Sequence, residues 1–238
     1  MSERSPAELS RENERLRGDL QTVARRFSHD LRPPLGAIST TAEILKEILD
    51  QDGSADAALA TGLIRSTDEI TALVERVSFV LRASSVPAVP ERVAMGEVVW
   101  GALQRLETRV RRQGATVIQA AAWPEVRGVP AWLEMIWRTL IENSLAHGGP
   151  APRIELGLTP AAHETRFWVR DNGPGVPPGK QALLFQAFER MHELQAARGF
   201  GLPLVRRLVE LQGGTCSFEM PAGGGAVFGF TLPAVGPG

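Results

Sequence analysis

FSHDLRPPLGAI, residues 27–38, places His29 beside Asp30 in a run of helical character and then sets Pro33 and Pro34 four and five positions beyond the histidine. Proline has no N–H to give and its ring crowds the preceding turn, so a helix meeting two of them is expected to bend or break. Pro33 cannot bond the carbonyl of His29, nor Pro34 that of Asp30. The stretch reads as a helix that presents an imidazole and a carboxylate just ahead of its weakest point.

Working outward and upstream, Leu9, Leu16 and Val23 fall at d and Leu20 and Phe27 at a of a heptad pattern, the seam along which two helices zip together. Asn13 stands at an a position, where a polar side chain fixes register in parallel dimers. The competing reading is an amphipathic helix packed on its own domain. Counting from Phe27 at a puts His29 at c, on the water side, where a lone histidine is ordinarily just a solvated polar residue. Downstream, Ile38, Ala42, Leu45 and Leu49 lead into the turn-rich DQDGSAD, and Leu59, Leu63, Ile70, Leu73, Val77 and Val80 follow. That is a helical hairpin with one apolar stripe per helix. Such a hairpin is undersized alone, whereas two from two chains make a four-helix bundle that buries both stripes.

SSVPAVPE, residues 84–91, has linker composition. Beyond it, α and β signals alternate. Val98, Val99, Ala102, Leu103, Leu106 and Val110 mark a helix ending near Gly114, and TVIQAAA a strand. Trp132, Leu133, Ile136, Trp137, Leu140 and Ile141 mark a second helix, stopped by HGGP. RIELGLT and TRFWVRD read as adjacent strands, Leu204 to Leu211 as a third helix, and TCSFEM with AVFGFTL as a hairpin around PAGGG. Three helices on one face of a mixed sheet make an α/β sandwich. The expected organisation is a coiled-coil helix over 1–26, a helical hairpin over 20–84, a linker over 85–92 and the sandwich over 93–238.

The bulk composition is compatible with this and excludes several alternatives. The 238 residues are 43% hydrophobic, enough for sizeable cores. With 26 basic and 27 acidic side chains, no global field draws the chain to nucleic acid or an anionic membrane. Cys216 is the single cysteine, so an intrachain disulfide framework is excluded, and its expected role is that of a small apolar strand residue. No apolar run reaches the roughly 18 residues of a membrane span and the start MSERSPAELS is no signal peptide, so a cytoplasmic location is expected, whether for a whole protein or for a piece of something larger.

Four stretches of the second half converge on one chemistry: LIENSLAHGG (140–149), DNGPGVP (171–177), LFQAFER (184–190) and GFGLPLV (199–205). Asn143, projecting from a helix, can offer its amide oxygen to Mg²⁺, which needs only one or two protein oxygens when phosphates supply others. Asp171, at a strand end, can accept a hydrogen bond from the exocyclic amine of adenine. Gly173 and Gly175 allow close backbone approach to a base. Gly199 and Gly201, just ahead of a helix, expose N–H groups to phosphate with the helix dipole behind them. Residues 176–198, with Phe185 and Phe188 as apolar anchors, read as a mobile lid.

SHDLRPPL resembles the H-box of sensor histidine kinases, and the four later stretches resemble the N, G1, F and G2 boxes of that family in the family's order. The resemblance covers residues 20 to 233. It implies a dimerisation and phosphoacceptor hairpin forming a dimeric four-helix bundle, followed by a Bergerat-type ATP-binding domain. It implies further that His29 takes the γ-phosphoryl group of ATP, that Asp30 accepts the Nδ1 proton, and that an aspartate on the receiver domain of a response regulator receives the phosphoryl group. ATP would be held by Asn143, His147, Asp171, Gly173, Gly175, Phe188, Arg190, Arg198, Gly199, Gly201 and Leu202, with Asn143 also on Mg²⁺.

Four positions depart from the pattern. Pro33 stands where Thr or Asn is common and has no hydrogen-bonding side chain, so weak phosphatase activity toward the regulator is expected. Thr139 replaces an Asn, Ala146 a Lys, and Pro203 the third glycine of the G2 box. These losses support an alternative, a degenerate kinase acting as a dimeric scaffold or phosphotransfer adaptor. The retained His29, Asp30, Asn143 and Asp171 speak for the active enzyme.

Overall fold

The computed structural model describes residues 6–54, 56–83, 89–161, 163–185 and 201–233. They form two compact units, a helical one and a sheet-based one.

The helical unit is α1 (Pro6–Gln51) packed against α2 (Ala57–Ala83). Pro33 and Pro34 lie inside α1, so the expected break is not found: a single 46-residue helix carries the heptad segment, the His29–Asp30 pair and the first hairpin helix. Proline's fixed φ of about −65° is itself helical, so the two rings remove hydrogen bonds without forcing the chain out of the helix. The reversal uses Gly53 at φ +64°, while the Ser54 N–H donates to the carbonyl of Leu49 at 2.9 Å.

The α1–α2 seam differs from the stripes read in the sequence. Ala42 of α1 and Ala60, Ile64, Thr67, Val74 and Ser78 of α2 are the buried residues, at helical spacing on one face of α2. Their neighbours on the next face, Leu59, Leu63 and Ile70, stay 73%, 47% and 48% exposed, and Ile38, Ile44, Leu45 and Ile48 of α1 are likewise exposed. The hairpin thus closes on mostly small and mid-sized residues and leaves several of its large aliphatic side chains outward.

In the second unit, β1 (Glu91–Ala94) and β3 (Glu125–Gly128) pair antiparallel as a small separate sheet. Neither strand was legible in the sequence, because each is four residues long with one buried aliphatic side chain, Val93 or Val126; β1 begins within the expected linker. The main sheet runs β2 (Thr116–Gln119), β4 (Arg153–Pro160), β5 (Glu164–Asp171), β7 (Ala226–Pro233), β6 (Cys216–Glu219). Its first pair is parallel and the others antiparallel, the mixed sheet anticipated. Three longer helices accompany it: α3 (Met95–Arg112), α4 (Pro130–His147) and, after the short α5 (Pro178–Gln181), α6 (Gly201–Glu210). α4 packs on both α3 and α6. Pro130 opens α4 at its first turn, where its missing N–H costs nothing.

Aromatic rings fill the space between α4 and the sheet. Trp137 meets Phe230 edge-on at 5.5 Å, Phe230 stacks on Phe167 at 5.3 Å, and Trp123 meets Trp137 at 5.3 Å. Trp137, Phe167 and Phe230 are fully buried, which fixes α4 over the central strands β5 and β7. This packing sets the height at which the C-terminal turn of α4 faces the end of β5.

Candidate functional site

At that end of the sheet unit the buried carboxylate of Asp171 closes β5. Its Oδ1 accepts the N–H of Gly173 at 3.0 Å and that of Ala226 at 3.2 Å, and its Oδ2 accepts the hydroxyl of Ser144, on α4, at 3.4 Å. Oδ1 is committed to two backbone amides, whereas the single long contact at Oδ2 leaves acceptor capacity for an incoming N–H. Burial pushes this carboxyl above the ordinary 3.8, opposed by those hydrogen bonds and by nearby His147.

The loop from Gly173 to Gly175 is shaped by backbone crowding. A Cβ on Gly173 would strike the carbonyl oxygen of His147, at the C-terminal end of α4. Glycine there lets the loop seat against α4, a structural duty in addition to the ligand approach expected of it. Gly225 plays the matching part on the other side: at φ +82° it lies where a Cβ would strike the carbonyl oxygen of Asp171. Asn172 ties down the remaining flank, its Oδ1 accepting the N–H of Arg153 at 2.8 Å and its Nδ2 donating to the carbonyl of Ala151 at 3.2 Å.

The structure therefore brings Asp171, Gly173 and His147 together and adds Ser144, Asn172, Gly225 and Ala226, which the sequence reading passed over. Ser144 directly follows Asn143, and the PAGGG turn holds Gly225, so the only signals were adjacency to a motif and a glycine run. Asn143 sits on α4 one residue before Ser144 and is half-exposed; among the described residues nothing hydrogen-bonds its side chain. Glu142 and Thr139 are buried on the same helix, with Arg138 3.8 Å from Glu142. Gly201 and Leu202 are buried in the first turn of α6, and Pro203 is its third residue. Phe188, Arg190, Arg198 and Gly199 lie outside the described residues.

No group of three or more His, Cys, Asp or Glu side chains is arranged to hold a metal among the described residues. A half-exposed amide oxygen at Asn143 fits an ion that completes its shell from phosphate oxygens and water, as Mg²⁺ does.

On α1, His29 and Asp30 form a second, separate constellation. His29 Nδ1 lies 3.0 Å from Asp30 Oδ1, with the two side chains 83% and 73% exposed. His29 stands in water, as expected, and so do Leu16 and Val23 of the seam, at 48% and 57% exposed. Arg32, on the same helix, lies 4.0 Å from Glu75 of α2.

Residues 128–236 match the family described as Histidine kinase-, DNA gyrase B-, and HSP90-like ATPase. The chain is 33% identical over 221 residues to the methanogenesis regulatory histidine kinase FilI of Methanothrix harundinacea, a match covering 90% of this chain and 25% of FilI. It is 32% identical over 222 residues to the signal transduction histidine-protein kinase/phosphatase MprB of Mycolicibacterium vanbaalenii, covering 88% of this chain and 45% of MprB. Among solved structures, full-length ShkA in complex with AMPPNP superposes with a TM-score of 0.62 at 24% identity, over 90% of this chain and 46% of that one; at that identity the likeness speaks for the fold. The chain thus spans less than half the length of these curated relatives.

The sheet unit is a catalytic ATP-binding domain of the histidine kinase type. With its helical unit in front, the chain is similar over about nine tenths of its length to histidine kinases.

Proposed function

We propose that this chain is an ATP-dependent protein-histidine kinase whose phosphoacceptor is His29, and that the phosphoryl group passes on to an aspartate in the receiver domain of a response regulator. The observation that carries this reading is the His29–Asp30 pair: an imidazole in water with one nitrogen 3.0 Å from a carboxylate. With Nδ1–H donating to Asp30, the lone pair is left on Nε2, and the carboxylate stabilises the positive charge that grows on the ring as Nε2 bonds to phosphorus. The bond from the γ-phosphorus to the bridging oxygen breaks and ADP leaves. Catalysis of this kind is mostly positioning and charge neutralisation.

In the sheet unit, Asp171 Oδ2 accepts a hydrogen bond from the adenine amine, and the first amides of α6, at Gly201 and Leu202, face the phosphates. Asn143 would hold Mg²⁺, whose charge offsets that of the phosphates. The exposed leucines and isoleucines of the hairpin are the surface on which a second copy completes a four-helix bundle. Pro33, with no hydrogen-bonding side chain, makes this a poor phosphatase toward its regulator.

The test is incubation with γ-labelled ATP and Mg²⁺, followed by acid or alkali. Label on the protein that is acid-labile and alkali-stable supports phosphohistidine; no label favours a scaffold, and free phosphate without labelled protein an ATPase. His29→Gln must abolish the label. Asp30→Asn should slow labelling on the order of a hundred-fold at unchanged ATP affinity, in the range of a lost proton acceptor.

A further inference from the structure

Beyond Asp171, the chain turns at Gly175 with φ +76°. An ideal Cβ there would lie 2.5 Å from the terminal methyl of Met220 and 3.2 Å from the carbonyl oxygen of Gly225. Glycine thus lets the backbone bed between two residues of the segment that joins β6 to β7. Gln181, the last residue of α5, then reaches back: its Nε2 donates to the carbonyl of Val176 at 2.9 Å and to the thioether sulfur of Met220 at 3.1 Å. The two hydrogens of one amide tie the short helix both to the turn and to the neighbouring hairpin. The first residue of β7, just after that connection, supplies the Ala226 N–H on Asp171 Oδ1. One hairpin therefore holds both the acid and the backbone that leaves it.

We propose that Met220 and Gln181 form a latch that sets the position of residues 173–181 beside Asp171, making Met220 a positioning residue for nucleotide binding. This rests on the reading of Asp171 as the residue that meets the purine of ATP. Met220 is 45% exposed, more than a core-filling side chain would be, and its contacts are with the ligand-side loop. A thioether suits the place, because it is flexible, packs against backbone and accepts a weak hydrogen bond. Leucine conserves most of its volume and alanine does not.

The experiment measures autophosphorylation of the full chain against ATP concentration for the wild type and for Met220→Ala, Met220→Leu and Gln181→Leu. Met220→Ala and Gln181→Leu should raise KM for ATP by about five- to ten-fold with kcat within about two-fold, the pattern of lost ground-state positioning. Met220→Leu should stay within about two-fold of wild type in both. A fall in kcat at unchanged KM, or unchanged kinetics in Met220→Ala and Gln181→Leu, overturns the latch. If Met220→Ala loses its folded structure, Gln181→Leu alone decides. A wild-type chain that neither binds ATP nor takes label overturns the underlying reading and the latch with it, whereas a normal wild type beside unaltered variants overturns the latch only.

Discussion

The two units solve the same packing problem in opposite ways. In the sheet unit Trp137, Phe167, Phe230 and Leu133 are fully buried, although Trp100 on α3 stays 63% exposed. In the helical unit the buried positions are held by Ala42, Ala60, Thr67 and Ser78 together with Ile64 and Val74, while Leu59, Leu63 and Ile70 face out. A unit with a buried ring cluster has a core of its own, whereas one that displays Leu59, Leu63 and Ile70 leaves apolar surface uncovered. The polar chemistry is divided the same way: the carboxylate of Asp171 is buried in the closed unit, and the imidazole of His29 stands in water on the open one. On the function proposed above, the division follows: a nucleotide is gripped best where water is excluded, whereas an acceptor that must meet both a nucleotide and a second protein has to be accessible.

The sharpest way to break this contrast is Asp171→Asn. The amide oxygen can still accept from Gly173 and Ala226, so the fold survives, but the other position now offers an N–H to the adenine amine. ATP affinity should fall about a hundred-fold, the worth of one charged hydrogen bond turned into a donor–donor clash, with thermal unfolding little changed; calorimetry against ATP checks both. The raised pKa of the same residue makes a related statement. Because burial lifts it above 3.8, the folded protein takes up this proton at a higher pH than the unfolded chain. ATP binding should therefore decline on acidification earlier than an exposed aspartate would allow. The residue's own contribution to stability is least favourable above the folded value and improves as pH falls through it toward 3.8.

Next in size is the helical unit. Leu59→Glu combined with Leu63→Glu places charge on the outward stripe, and sedimentation should show the mass halved while ATP affinity of the sheet unit stays within about two-fold, since the substitutions fall in the other unit. A dimer that persists would mean the exposed stripe serves another purpose. The smallest effect concerns Cys216, whose thiol burial pushes up to about 12, with Glu210 adding to the rise. At pH 8 only about one thiol in ten thousand is ionised at such a value, so alkylation by iodoacetamide should be far slower than for a free thiol, and labelling at an ordinary rate would show the β6 edge to be open.

Much of this was legible along the chain. Periodicity alone located α3, α4, β4, β5 and the closing hairpin, because each carries several apolar residues at one repeat. The strands β1 and β3 are too short to show a repeat, and they were missed. The prolines misled in the other direction: local chemistry predicts a break, yet α1 continues through them, since their φ is helical and neighbouring turns keep their bonds. On α2 the reading of a single apolar stripe chose the large residues, whereas the seam with α1 took the next face along.

What the sequence determined by itself is the inventory: a histidine next to an aspartate on a helical run, an acid at a strand end, glycines at the turns that follow. Those depend on residue type and spacing, which a linear chain states outright. Only the tertiary structure decided that Asp171 is held by Ser144 from one helix and Ala226 from a strand 55 residues further on, and that Met220 backs the turn at Gly175. Contacts between residues far apart in the chain arise from how buried rings set a helix on a sheet, and no local pattern encodes that geometry.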